Sequence, residues 1–150
     1  MTSKQERTWI AEMDDVEARY PTKEALLAAL SGFQERAQGG LSVSIDRGLN
    51  KGWLRFLGGA ERDVVPCLSL EWFDQYASLI FLDDAWSEYR AIDTEHPVAP
   101  EEEIRKLIAH GEPSAHPIEE CMSTVRAFDA AHEFIESGER PTWLSFKYVR

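Results

Sequence analysis

Leu41-Ser42-Val43-Ser44-Ile45 and Val64-Val65-Pro66-Cys67-Leu68-Ser69-Leu70-Glu71-Trp72-Phe73 decide the architecture of this chain. The first alternates apolar with polar residues, and the second is a near-continuous run of β-branched, aliphatic and aromatic residues, so both predict strands. Between them lies a third apolar run, Trp53-Leu54-Arg55-Phe56-Leu57. It is bracketed by Arg47-Gly48-Leu49-Asn50-Lys51-Gly52 and Gly58-Gly59-Ala60-Glu61, which supply the Gly and Asn that hairpin turns require. The three runs together predict an antiparallel meander. Pro66 has no N–H to give a ladder, so the strand over residues 64–73 begins after it or sits at an edge. Residues 78–82 and 86–92 extend the same sheet.

Outward from this centre, Trp9-Ile10-Ala11-Glu12-Met13 predicts an edge strand. Thr22 is placed to cap a helix whose apolar positions Leu26, Leu27, Leu30, Phe33 and Ala37 share one face, with Gly39 and Gly40 to stop it. On the C-terminal side, Pro100 at the first helical position, Glu101, Glu102 and Glu103 in the first turn, and Lys106 and His110 near the end match the polarity of a short helix closed by Gly111. A longer helix is expected after Pro117, with Ile118, Cys121, Val125, Phe128, Ala131 and Ile135 on one face and Phe134 beside them. It ends at Ser137-Gly138. Pro141 then imposes extended backbone, and residues 142–149 predict a last strand. The expectation is a single α+β domain over residues 1–150: an antiparallel sheet of about five to six strands, packed with an N-terminal helix and C-terminal helices.

The chain has 150 residues, with 27 Asp and Glu against 16 Lys and Arg, and a net charge of −11. So negative a protein lacks the clustered cations that phosphate backbones and anionic lipid demand, which argues against nucleic acid and membrane as partners and for a basic protein. The imbalance is concentrated: residues 83–120 hold 11 acids against 3 bases, whereas residues 121–150 hold 4 of each. Within that stretch Asp83, Asp84, Glu88, Asp93 and Glu95 are interleaved with Trp86 and Tyr89, a pattern suited to electrostatic steering with aromatic anchors. These seven are the candidate partner-binding residues. The polar start of the chain carries no apolar core of an export signal, and no apolar run approaches the ~20 residues of a membrane span, so a cytoplasmic protein is expected. Cys67 and Cys121 are far apart in sequence and fit a pair of buried thiols.

Catalytic patterns are scarce. There is no Gly-x-Ser-x-Gly, no nucleophilic Cys signature and no phosphate-binding Gly-rich loop, so no catalytic residue is assigned and no cofactor is expected. The alternative lies in residues 110–121, where His110, His116 and Cys121 could ligate a metal or line a ligand site. Their spacing matches no standard zinc pattern, and Gly111 and Pro113 suit a loop between helices, so no metal ligand is assigned. Adjacent Asp83 and Asp84 would point to opposite faces if they lay on a strand and would not converge on one substrate atom. Trp53, Phe56, Trp72 and Phe73 are expected in the core.

The segment Phe134-Ile135-Glu136-Ser137-Gly138-Glu139-Arg140-Pro141, followed by Thr142-Trp143-Leu144-Ser145-Phe146, resembles the C-terminal signature of the first-numbered immunity family of bacterial polymorphic toxin systems: a helix ending in Phe-x-x-(Ser/Thr)-Gly-x-Arg-Pro and then a strand. The resemblance implies an α+β fold and an antitoxin, not an enzyme. Such an antitoxin binds a cognate secreted toxin, in many relatives a deaminase or nuclease, and occludes its basic surface. Phe134, Gly138, Arg140 and Pro141 would then hold the fold.

Overall fold

The computed structural model describes residues 8–50, 52–58, 62–109 and 116–149. Within them the chain forms strands β1 (Thr8–Met13) and β2 (Val16–Tyr20), helix α1 (Lys23–Gln34), strand β3 (Gln38–Leu49), helix α2 (Gly52–Phe56), strands β4 (Arg62–Phe73), β5 (Tyr76–Leu82) and β6 (Glu88–Ile92), and helix α3 (Glu102–Ile108). A single 3-10 turn (Ile118–Glu120), strand β7 (Met122–Ser123), helix α4 (Thr124–Ser137) and strand β8 (Ser145–Tyr148) follow. All pairings are antiparallel, in the order β2-β1-β3-β4-β5-β6-β8, with β7 added beside β5. The expected α+β class holds, with eight strands in place of five to six.

The strands not anticipated are the short β2 and the two-residue β7. Asp14 and Asp15 both adopt positive φ, 48° and 67°, which is what a two-residue hairpin turn between β1 and β2 needs. That hairpin makes β2 the edge, so β1 is an interior strand paired on both sides, contrary to the expectation. Pro66 does lie inside β4, but β5 pairs only as far as Leu68, so Pro66 sits where β4 has one neighbour. There Val43 pairs with Leu68 and Ser44 with Pro66, leaving Cys67 as the extra residue of a β-bulge.

The run at residues 53–57 is a correction. β3 pairs directly with β4 from Gln38–Phe73 to Leu49–Arg62, which leaves no place for a strand between them. The run instead folds as α2 inside the hairpin loop, with the Leu57 amide donating to the Trp53 carbonyl at 3.1 Å and Gly58 following at φ 83°. A run of five residues, four of them apolar, cannot by itself distinguish helix from strand. Residues 51 and 59–61 of the expected turns lie outside the described residues.

Side-chain parity gives the sheet one strongly apolar face: Ala11, Met13, Leu41, Val43, Leu68, Leu70, Trp72, Leu79, Phe81 and Ala91 are buried there. α1 and α4 cover it, α1 with Leu26 and Leu30, α4 with Ala127, Phe128, Ala131 and Ile135. Trp72 meets Phe128 edge-on at 4.9 Å, and fully burying such a side chain contributes about 1.5–3 kcal/mol. Thr22 caps α1 as expected, its hydroxyl accepting from the Ala25 amide at 3.2 Å. The helix ends at Gln34, so Ala37 lies beyond it and Gly39 and Gly40 belong to β3. α3 packs on β4 and β5, burying Ile108 and Ala109 outside the main core.

The expected long helix after Pro117 begins later. Residues 118–120 form the 3-10 turn, Met122 and Ser123 pair with Ala77 and Tyr76, and α4 starts at Thr124. Its first turn is tied to the β4–β5 turn by the Thr124 hydroxyl on the Asp74 carbonyl (2.8 Å) and the Thr124 amide on the Gln75 carbonyl (2.9 Å). Ile118 and Cys121 are therefore not on the helix, and Val125 faces solvent. Pro100 precedes the cap of α3 by one residue instead of opening the helix.

Candidate functional site

The acidic stretch divides among several places. Asp83 organises the β5–β6 turn. Its Oδ1 accepts from the amides of Ala85 and Ser87, each at 2.9 Å, and its Oδ2 from the Tyr89 hydroxyl at 3.2 Å. The Ser87 amide, aided by Ala85 and Tyr89, outweighs desolvation and holds this carboxyl below the ordinary 3.8. Asp83 lies in this turn and not on a strand. The turn projects Trp86, 61% exposed and at φ 64°, a conformation rarely adopted by a bulky residue. Asp84 stands beside it with its side chain 83% exposed, touched by Arg47 Nη1 at 3.4 Å. Glu88 and Tyr89 follow at the start of β6, both half-buried.

Asp93 and Glu95 do not join them. Asp93 is only 3% exposed, and its carboxylate receives two hydrogen bonds from Arg126 of α4, one from Nε and one from Nη2 at 3.1 Å, plus the His96 amide at 3.1 Å. Burial pushes its pKa up, but the Arg126 and His96 bonds outweigh that and leave it low. Glu95 reaches the same Arg126 at 3.4 Å. Asp93 is thus an internal latch between β6 and α4 and is withdrawn from the contact candidates. Glu120, also in the acidic stretch, is buried against Arg90 at 3.3 Å.

The C-terminal motif residues meet this turn. Gly138 takes the left-handed position at φ 79°, its amide donating to the Phe134 carbonyl at 2.7 Å, as the cap reading requires. Phe134 packs on Phe81 at 5.0 Å, and Pro141 is buried. Arg140 does not cap the helix. Its guanidinium lies 3.9 Å from the Tyr89 ring centre and 4.7 Å from that of Phe146. Between the loop carrying Arg140 and the sheet opens a cleft of about 1350 Å³, lined by Asp83, Asp84, Tyr89, Arg140 and Phe146 among others. Two groups remote in sequence, the acidic turn and the motif, therefore share one cavity.

A further surface escaped the sequence reading. Trp53 (60%) and Phe56 (89%), expected in the core, are exposed on α2, and Leu49 at the end of β3 and Leu57 just past α2 are exposed as well. The signal that could have found them is the pair of glycines, Gly52 and Gly58, spaced to bracket a short helix. Arg47 joins the base of this hairpin to the Trp86 turn, bonding Asp63 at 2.9 Å and Asp84 at 3.4 Å. Exposed apolar side chains grouped in this way mark interaction surfaces more often than monomer surface.

Of residues 110–121, His110 lies outside the described residues. His116 faces Glu120 at 3.8 Å, and Cys121 is directed at the Pro117 carbonyl. Among the described residues no group of three or more His, Cys, Asp or Glu is arranged to hold a metal ion. Cys67 and Cys121 are both free and buried. Desolvation pushes their thiols up, to about 12 and about 11, so neither is an activated nucleophile. No described helix is long and apolar enough to cross a membrane. No protein-family model matches the chain, and no curated protein sequence matches it.

Proposed function

We propose that this chain is an immunity protein that binds a secreted bacterial toxin and occludes its basic, nucleic-acid-directed surface. The observation that carries the reading is Trp86, an exposed aromatic held at positive φ on a turn that Asp83 fixes with three hydrogen bonds, with Asp84 exposed beside it. An anchor already ordered in the free protein loses little entropy on docking, and the neighbouring carboxylate draws a basic partner. The exposed face of α2, tied to the same turn through Arg47, supports a protein-sized contact. The resemblance of residues 134–141 to the immunity signature supplies the class of partner. Binding alone accounts for neutralisation, with no catalytic group, and the site of action is the cytoplasm of the producing cell.

The reading expects a toxin domain encoded beside this gene, and the test is co-expression with that domain, followed by binding measurements. The chain is expected to protect cells, and the double variant Asp84→Lys, Trp86→Ala to lose protection, its Kd rising at least about tenfold. Asp83 is left intact so that the turn keeps its shape. Equal protection by the double variant would overturn docking through this turn, and no protection by the unaltered chain would overturn the immunity reading.

A further inference from the structure

We propose that the cleft beside Arg140 binds an extended acidic segment of the partner polypeptide, with a carboxylate of that segment on the Arg140 guanidinium. The proposal rests on the reading of this chain as a protein-binding module and adds the chemistry of a second contact, opposite in sign to the first.

Among the described side chains, Arg19 and Arg62 are held by Asp46, Arg36 by Asp14, Arg47 by Asp63 and Asp84, Arg90 and Lys147 by Glu120, and Arg126 by Asp93 and Glu95. Lys23 and Lys106 pair with Glu136 and Glu102, and Arg105 donates to the His116 carbonyl. Arg140 alone among them has neither an ion pair nor a hydrogen bond; its contacts are the rings of Tyr89 and Phe146. In a chain with 27 acids, a cation without a carboxylate calls for a physical reason.

The cleft supplies that reason. None of the cleft's own carboxylates pairs with Arg140: Asp83 is held by the turn, exposed Asp84 touches Arg47, Glu136 pairs with Lys23, and Glu139, which also lines the cleft, makes no ion pair with it. Stacking on two rings fixes the guanidinium plane and satisfies its faces, while the N–H edge, the part that binds carboxylates in pairs of parallel hydrogen bonds, makes no bond. The volume suits an extended segment. Small-ligand pockets occupy roughly 300–1,000 Å³, and this cleft has about 1350 Å³. Apolar side chains on its wall, Trp9, Ile45 and Phe146, suit the residues that flank the carboxylate. A partner that sets cations against Asp84 and a carboxylate against Arg140 would be held in one register, because a shift places like charges together.

The experiment uses two synthetic hexapeptides, capped at both ends and identical except for a central glutamate or glutamine between phenylalanines, titrated into the full chain and followed by NMR. The glutamate peptide is expected to give saturable shifts at the Arg140 Nε–H and the Gly138 amide and to bind about tenfold tighter than the glutamine peptide. The preference should vanish in Arg140→Gln and largely vanish in Arg140→Lys, which keeps the charge without the planar fork. Equal binding of the two peptides by the unaltered chain, a comparison that needs no variant, would overturn the proposal. So would shifts confined to other surfaces, or equally tight binding of N-acetylglutamate amide, which would make the cleft a small-molecule site. If the peptides fail while toxin binding still depends on Asp84 and Trp86, only the cleft contact is lost. If the toxin arm fails while the peptides discriminate, the cleft stands and the partner class changes.

Discussion

The Tyr89 hydroxyl donates to Asp83 Oδ2 at 3.2 Å, while the Tyr89 ring carries the Arg140 guanidinium at 3.9 Å. One side chain therefore joins the turn that displays Trp86 to the loop that closes the cleft. The link connects residues 83–89 to residue 140, and it explains why the acidic turn and the C-terminal motif lie on a common surface.

Asp83→Ala should disorder the turn without unfolding the protein, since its carboxylate serves local amides and not the core. The expected result is rapid amide exchange at residues 85–87, a small change in Tm, and weaker binding of the proposed toxin partner through a freed Trp86. The sign of the pH dependence follows from the lowered carboxyl: the turn is fully ordered above the ordinary value of 3.8 and loses order only as pH falls through the lower folded value. An NMR pH titration checks this. Loss of turn order well above pH 4 would contradict it.

Arg126→Ala should cost about 2–3 kcal/mol, because it strands the buried Asp93 carboxylate, with some allowance for the part of Arg126 that solvent reaches. Asp93 contributes stability above its unfolded pKa, and that contribution is lost as pH falls through its lower folded value. Denaturant unfolding at neutral pH measures the first effect, and its decline in acid the second. Glu95→Gln, on the exposed edge of the same latch, should change stability by less than about 1 kcal/mol.

Gly39→Ala tests the packing of β3 on β4. A Cβ at this position would lie 2.7 Å from the Trp72 ring, which is wedged against Phe128 and donates Nε1–H to the Arg36 carbonyl at 2.9 Å. The ring cannot retreat, so destabilisation of about 1–3 kcal/mol is expected. Thermal denaturation reads it. Gly32→Ala, where the added methyl meets open space within α1, is expected to be neutral or stabilising.

Cys67 and Cys121 should resist alkylation in the native protein at pH 8 and react at once in denaturant, since burial holds both thiols far above that pH. Thiol counting with and without denaturant settles the point. Fast labelling of either thiol in the folded chain would show that its surroundings open.

Much of the fold was legible because it is written in local patterns. Thr22, Gly138 and the alternation of residues 41–45 each have a one-residue physical consequence: a cap, a left-handed stop and a buried face. The misreadings came where a pattern is shared by two structures. Trp53 to Leu57 is apolar enough for a core strand, and only the direct pairing of Leu49 with Arg62 pushes it out as an exposed helix. Asp93 and Asp84 are the same residue type in the same acidic stretch, yet one is buried on Arg126 and the other faces solvent. Arg126 lies 33 residues from Asp93, and nothing local announces it.

The amino-acid sequence by itself determined the α+β class, the start of α1, the end of α4 and the excess of negative charge, because periodicity, caps and charge count depend on neighbours along the chain. Tertiary structure alone decided which of those charges remain available. It neutralised Asp93 and Glu120 inside the protein, bent Asp83 into a scaffold for Trp86, and left Arg140 on two aromatic rings without a carboxylate. Pairing of charges is a matter of distance in space, set once the sheet and α4 have packed.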